Sequence, residues 1–133
     1  MDLSTINVTQ FAELGAEMEL EHPVTGEVIK DDSGKPVTFT LMGMDSAAYR
    51  NKQRDIQSRR MSKMMKGKGS PMLSDVDACE LLADCTKGWS GVVLEGKSVK
   101  FSTKAAFDLY MEHHWIREQV DTFIADRANF YKG

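Results

Sequence analysis

The residues of this chain that could carry out chemistry or hold a metal are three histidines and two cysteines. His113 and His114 are adjacent, and neighbours on a helix point about 100° apart, so they form a poor chelating pair. Cys79 and Cys85 are six residues apart, a spacing that matches no zinc framework. On one helix their Cα atoms would lie about 9 Å apart, too far for a disulfide. We therefore expect two free thiols in a reducing cytoplasm.

Catalytic motifs are equally absent from the sequence. Glu112 beside His113 is weak evidence for a base and its orienting group, because adjacent acid and histidine pairs are common. The glycines are scattered, so no loop is suited to cradle phosphate, and HExxH, CxxC and GxGxxG patterns do not occur. The sequence therefore predicts a protein that is not an enzyme and that uses no cofactor or metal.

Charge is segregated along the chain, although its net charge is only −3. Residues 1–49 hold nine acids and two bases, residues 50–68 hold eight bases and one acid, and residues 69–133 hold seven bases and ten acids. A local block of one sign can recruit a partner whatever the mean charge of the protein.

The basic block is predicted to be one helix. At about 100° per residue, Lys52, Arg59, Lys63 and Lys66 fall within a stripe of about 60°, and other bases lie on the remaining faces. Such a helix could contact nucleic acid or an acidic partner. It could equally be a solvated helix whose charge offsets the acidic N-terminal third. We favour the solvated helix or a protein partner, because Tyr49 is the only aromatic residue near these bases that could stack on a nucleobase.

Methionines accompany these bases at the end of the predicted helix and beyond it, at positions 61, 64, 65 and 72. Methionine is flexible and suits surfaces that repack around varied apolar segments, although it also fills gaps in small cores. The residues predicted to bind a partner are Arg54, Arg59, Arg60, Lys63, Met64 and Met65.

The N-terminal part is predicted to combine a small sheet with the basic helix. Residues 37–41 alternate in polarity, and we expect an antiparallel sheet of two or three strands between Met18 and Met42. Asp45 is predicted to cap the helix, which completes a unit of residues 1–66. For residues 2–14 the sequence leaves two alternatives, a loose arm or a short helix begun by Thr9.

The C-terminal part is predicted to be a hairpin-plus-helices unit, residues 73–133, after a Gly/Ser/Pro linker at 67–72. We expect a helix begun by Ser74 and ending near residue 86, a hairpin over 89–101, and helices over 103–112 and about 115–131. The final helix should place Ile116, Val120, Phe123, Ile124 and Tyr131 on one face. The fold class is a helix-dominated α+β single domain.

Two further expectations concern the core and the cell compartment. Trp89 and Trp115 should lie in the core, each with a hydrogen-bond partner for its indole N–H. No apolar run approaches the roughly 20 residues of a membrane span, and residues 1–11 lack the features of a secretory signal.

The order of several segments resembles the tail assembly chaperones of long-tailed bacteriophages. The resemblance is closest over about the last 60 residues and looser over about the first 70. The segments that carry it are GWSGV at 88–92, the hairpin with Gly96, VKFS at 99–102, Leu109-Tyr110, Gln119-Val120 and IADRANF at 124–130. The helix over 74–85 and the HPVTGE-to-MDSAAYR stretch also fit. Relatives often carry proline before the last helix, where this chain has His113-His114-Trp115.

The resemblance implies a non-enzymatic protein of the host cytoplasm that acts by binding. Its partners would be the tape-measure protein, which it keeps soluble, and the tail-tube protein, whose assembly it assists; homo-oligomers would also be expected. A structural minor tail or connector protein of the virion is an alternative. A nucleic-acid-binding module that uses the basic helix is another.

Overall fold

A computed structural model describes residues 1–67 and 74–131 and has the predicted α+β single-domain class. The α-helices are α1 (Val8–Leu14), α2 (Ala47–Met65), α3 (Asp75–Asp84), α4 (Thr103–Glu112) and α5 (His114–Ala125). The strands are β1 (Ala16–Glu19), β2 (Thr38–Leu41), β3 (Thr86–Ser90), β4 (Val93–Leu94) and β5 (Lys97–Ser98). Short 3-10 turns lie at Leu3–Thr5 and Arg127–Asn129.

The main sheet joins the two predicted units. It is antiparallel in the order β1-β2-β3, so two of its strands fall near the predicted 18–42 range and the third comes from the C-terminal part. Met18 pairs with Phe39, and Phe39 pairs with Trp89. The prediction that Trp89 opens the C-terminal hairpin was wrong, because the hairpin consists of β4 and β5 alone.

The core lies between this sheet and helices α3, α4 and α5. Phe39 and Leu41 are completely buried on the inner face of β2, and Tyr110 of α4 stacks on Phe39. On α5, Ile116, Val120 and Ile124 are buried as the helical spacing predicted.

Helix ends differ from the predictions at two places. Ser46, rather than Asp45, caps α2, and its hydroxyl accepts a hydrogen bond from the backbone N–H of Tyr49. The last helix ends at Ala125 instead of near 131, because Asp126 is extended and its carboxylate accepts from the N–H of Ala128. Tyr131 therefore lies beyond the helix.

The other predicted elements are the N-terminal segment, the linker and the first two helices of the C-terminal part. Residues 8–14 form the short helix, capped by Asn7 rather than begun by Thr9. Gly67 is exposed and has a φ of 72°, whereas positions 68–72 of the predicted linker lie outside the described residues. The helices expected over 74–86 and 103–112 are α3 and α4.

The tryptophans and cysteines occupy the core or its margin. Trp89 is half-buried, and its indole Nε1 donates to the carbonyl of Val99 at 2.9 Å. Trp115 is also half-buried and packs against the core. Cys79 and Cys85 are both fully buried free thiols, as expected from their spacing.

Candidate functional site

The predicted partner-binding residues all lie on α2, a helix with little apolar attachment to the domain. Ile56 is its one buried residue. Polar and charged residues fill most of its other positions, so the sequence supplies no continuous apolar face for packing. The helix is held mainly through Ile56, the half-buried Tyr49 near its start, and ion pairs with α3.

Those ion pairs use the two basic residues of the predicted stripe that lie nearest the domain. Lys52 lies 3.3 Å from the carboxylate of Asp84, and Arg59 donates a 2.8 Å hydrogen bond to Glu80. The hydrogen bond to Glu80 raises the pKa of the Arg59 guanidinium above its ordinary, already high value. The acids that offset the basic helix here belong to α3 rather than to the N-terminal third. Arg59 therefore contributes to attachment of α2.

Beyond Ile56 the helix is exposed. Every residue from 57 to 67 is exposed except Arg60, which is half-buried. We call residues 54–66 the basic tip; it carries five bases and one acid. Met61, Met64 and Met65 expose 61%, 46% and 82% of their surface, so the basic tip offers apolar area as well as charge.

The predicted site residues do not share one face of this helix. Arg54 and Met65 point within about 20° of each other, and Met61, which the prediction omitted, lies on the same side. Lys63 lies about 180° from Arg54. It is nevertheless exposed, because this part of the helix extends beyond the residues that bury Ile56.

Arg60 and Met64 lie on the side of the helix between the face of Arg54 and the face of Lys63. The Nε atom of Arg60 is buried and has no hydrogen-bond partner within the described structure. In the described part of the chain Arg54 and Lys63 form no ion pair, which distinguishes them from Arg59. Arg54, Lys63 and the exposed methionines are thus residues of the tip that a partner can contact without breaking an ion pair of the described structure.

The side chains of this surface are of types suited to binding. Long basic side chains and flexible thioethers can contact an acidic or amphipathic partner along one helix. Across residues 1–67 and 74–131, no three His, Cys, Asp or Glu side chains lie together in a way that could hold a metal ion. Burial raises the pKa of the Cys85 thiol to about 12, which disfavours its nucleophilic thiolate.

A second candidate surface was missed by sequence reasoning. A groove of about 730 Å³ lies between the segment 18–28 and α5. Its charged residues are Glu19, Glu21, Glu118 and Asp126, with neither lysine nor arginine among the described residues that line it. We call this the acidic groove. Its apolar lining is Met18, Pro23, Val28, Trp115 and Phe123.

The wall of the acidic groove is fixed by a reciprocal pair of hydrogen bonds. The side-chain amide of Gln119 accepts from the backbone N–H of Glu21 at 2.9 Å and donates to its carbonyl at 2.8 Å. His22 stabilises the adjoining turn, since its Nδ1 accepts from the N–H of Val24 at 3.1 Å. Glu19 and Glu21 lie about 100 positions before Glu118 and Asp126 in the sequence. The sequence indicates only the first pair, because alternate residues of an extended segment lie on the same face.

Comparison of the chain with protein-family models, curated proteins and solved structures finds no match. Among the helices of the described ranges, none has both the length and the apolar composition to cross a bilayer.

Proposed function

We propose that this chain is a non-enzymatic binding protein that uses the basic tip of α2 to hold an acidic or amphipathic helical partner. The observation that carries this proposal is the exposure of three methionines among five basic residues on a continuous helix. An isolated, polar, solvated helix would gain nothing from such apolar exposure. A helix that binds another helix gains both apolar burial and charge pairing.

In its specific form, the proposal is a tail assembly chaperone of a long-tailed bacteriophage. It would act in the host cytoplasm on the tape-measure protein and assist tail-tube assembly. The resemblance of residues 74–130 to that family motivates the choice of client. A long, largely helical and apolar client requires a binder that tolerates varied sequences, and flexible methionines meet that requirement.

A nucleic-acid partner is the second candidate, and the excess of base over acid in the basic tip favours it. The two candidates differ in their dependence on salt. Binding to nucleic acid releases counterions, so affinity falls steeply with salt and the slope counts the phosphates contacted. A methionine contact with a helical protein persists at salt concentrations that screen the charges.

The proposed function is tested by co-expression with the tape-measure protein of the genome that encodes the chain. We expect the two proteins to co-elute from a sizing column and the tape-measure protein to precipitate when expressed alone. A tape-measure protein whose solubility does not respond to the chain would contradict the chaperone role. Recovery of the chain in purified particles would instead support the virion component.

A further inference from the structure

We propose that the basic tip of one copy of this chain docks in the acidic groove of a second copy. The two surfaces have opposite charge. The tip carries five lysines and arginines and one acid, and the groove is lined by four acids, by His22, and by neither lysine nor arginine among the described residues. Opposite potentials favour encounter and fix the register of the contact.

The apolar parts of the two surfaces also match. Met61 and Met65 are exposed on one side of the tip. The groove offers the half-buried side chains of Trp115 and Phe123, with Val28 at its edge. Thioether sulfur contacts aromatic rings favourably, and a flexible methionine can adapt to an irregular groove.

The geometry within one chain excludes the same contact in cis. Ile56 is buried and Arg59 is bound to Glu80, so a continuous α2 helix is fixed on α3. None of the residues that line the acidic groove belongs to the basic tip. Bringing the tip into its own groove would require breaking the helix or detaching it from α3.

A pairing of two basic tips is disfavoured as well. Each tip has an excess of positive charge, so two tips repel each other. The acidic groove of a second copy is therefore the occupant that the described surfaces fit best. The contact joins two different surfaces, so it is head to tail and can build rings or open chains.

This association goes beyond the proposed function, because it concerns the chain without a client. It would cover the same tip that the client uses, so self-association and client binding would compete. The test uses the purified chain alone. Its failure would therefore leave the proposed client binding untouched.

The test is sedimentation velocity on the full chain and on two charge-reversed variants. The tip variant is Arg54→Glu/Lys63→Glu, and the groove variant is Glu21→Lys/Glu118→Lys. At low salt we expect the natural chain to associate as its concentration rises, and each variant alone to associate at least tenfold more weakly. High salt should weaken the association of the natural chain, because it screens the charged part of the contact.

An equimolar mixture of the two variants gives the decisive result. The groove variant keeps an intact tip, and the tip variant keeps an intact groove. One natural contact remains, and the altered tip and the altered groove each have no net charge to attract the other, so we expect mainly a one-to-one dimer. A natural chain that stays monomeric, variants that associate like it, or a mixture without dimers would each overturn the proposal.

Controls separate these outcomes from misfolding. Lys97→Glu/Lys100→Glu changes two exposed lysines of the hairpin region and should associate like the natural chain. Circular dichroism and thermal unfolding verify that each variant is folded. If the groove variant does not fold, Glu19→Lys/Glu118→Lys replaces it, since Glu19 and Glu118 are both exposed.

Discussion

Arg59 of α2 donates a 2.8 Å hydrogen bond to Glu80 of α3 and lies 3.7 Å from Asp77. This relationship separates the basic residues of α2 that form ion pairs with α3 from those that do not within the described residues. Lys52 and Arg59 attach α2 to acids of α3. Arg54 and Lys63 lie exposed with the methionines. A variant that is meant to test partner binding should therefore change the second pair and leave the first in place.

The Arg59–Glu80 contact is predicted to add a small amount to stability. Arg59 exposes 49% of its side chain, so water screens the pair, and we expect a coupling free energy of about 0.5 kcal/mol. A double-mutant cycle with Arg59→Ala and Glu80→Ala, measured by urea unfolding, gives this value. The coupling should shrink in high salt. A coupling above about 2 kcal/mol would contradict the assignment of this contact as a screened surface pair.

The buried hydroxyl pair between Thr86 and Tyr110 is predicted to be asymmetric. Thr86 donates to the carbonyl of Leu82 at 2.8 Å, so the hydroxyl of Tyr110 donates to Thr86 across 2.7 Å. Thr86→Val leaves the buried hydroxyl of Tyr110 without an acceptor, while the Leu82 carbonyl keeps the N–H of Cys85, and should cost about 1–3 kcal/mol. Tyr110→Phe removes only the donor and should cost about 1 kcal/mol or less.

Urea unfolding of the two single variants and the double variant measures this asymmetry. In the background of Tyr110→Phe, the change Thr86→Val should cost less than it does alone, because the stranded tyrosine hydroxyl is gone. Equal costs for both single variants, with full additivity, would contradict the proposed direction of the hydrogen bonds.

The buried thiol of Cys85 is predicted to make stability fall at alkaline pH. Burial, and to a lesser extent the carboxylate of Asp84, raises its pKa from 9.0 to about 12. Above pH 9 the unfolded chain loses this proton while the folded chain keeps it. The unfolded state then binds fewer protons, so stability falls as pH rises, by up to about 1.4 kcal/mol per pH unit.

Cys85→Ala isolates this effect. Burial also raises the pKa of Tyr110 from its ordinary value of 10.0, so that group adds its own fall above pH 10. Between pH 9 and 10 the natural chain should lose stability and Cys85→Ala should lose markedly less. Urea unfolding across this interval measures both slopes. Identical slopes would show that Cys85 does not keep its proton in the folded chain.

Much of the fold could be predicted from local patterns. The helical spacing of Ile116, Val120 and Ile124 identifies the buried face of α5, and all three are buried. The turn at Glu95-Gly96 has positive φ at both residues, 52° and 78°, which suits a two-residue hairpin loop. These features depend on residues close together in sequence.

Features that depend on distant residues were missed or misassigned. Asp45 has the side chain of a helix cap, yet it accepts hydrogen bonds of 2.7 and 3.0 Å from Arg127 instead. Ser46, next in the chain, takes the capping role. Trp89 was assigned to a local hairpin because its partner in the sheet, Phe39, lies 50 positions away. Propensity does not indicate which distant strand a segment joins.

The same limit applies to the candidate sites. The basic tip is continuous in sequence, so its residues could be named, although their division between attachment and exposure could not. The acidic groove combines Glu21 and Glu118, which line one surface because their two segments pack together and Gln119 hydrogen-bonds to the backbone of Glu21. Neither glutamate belongs to a pattern that predicts a shared surface.

The central claim is that the exposed residues of the basic tip hold the client. It is tested most directly by co-expressing the tape-measure protein with the natural chain, with Arg54→Glu/Lys63→Glu, or with Lys97→Glu/Lys100→Glu, and measuring the soluble tape-measure protein that co-elutes. Loss of two charge contacts should weaken the affinity of the tip variant alone roughly tenfold, which corresponds to about 1.4 kcal/mol, and so lower the amount recovered. Equal recovery with all three chains would contradict the claim.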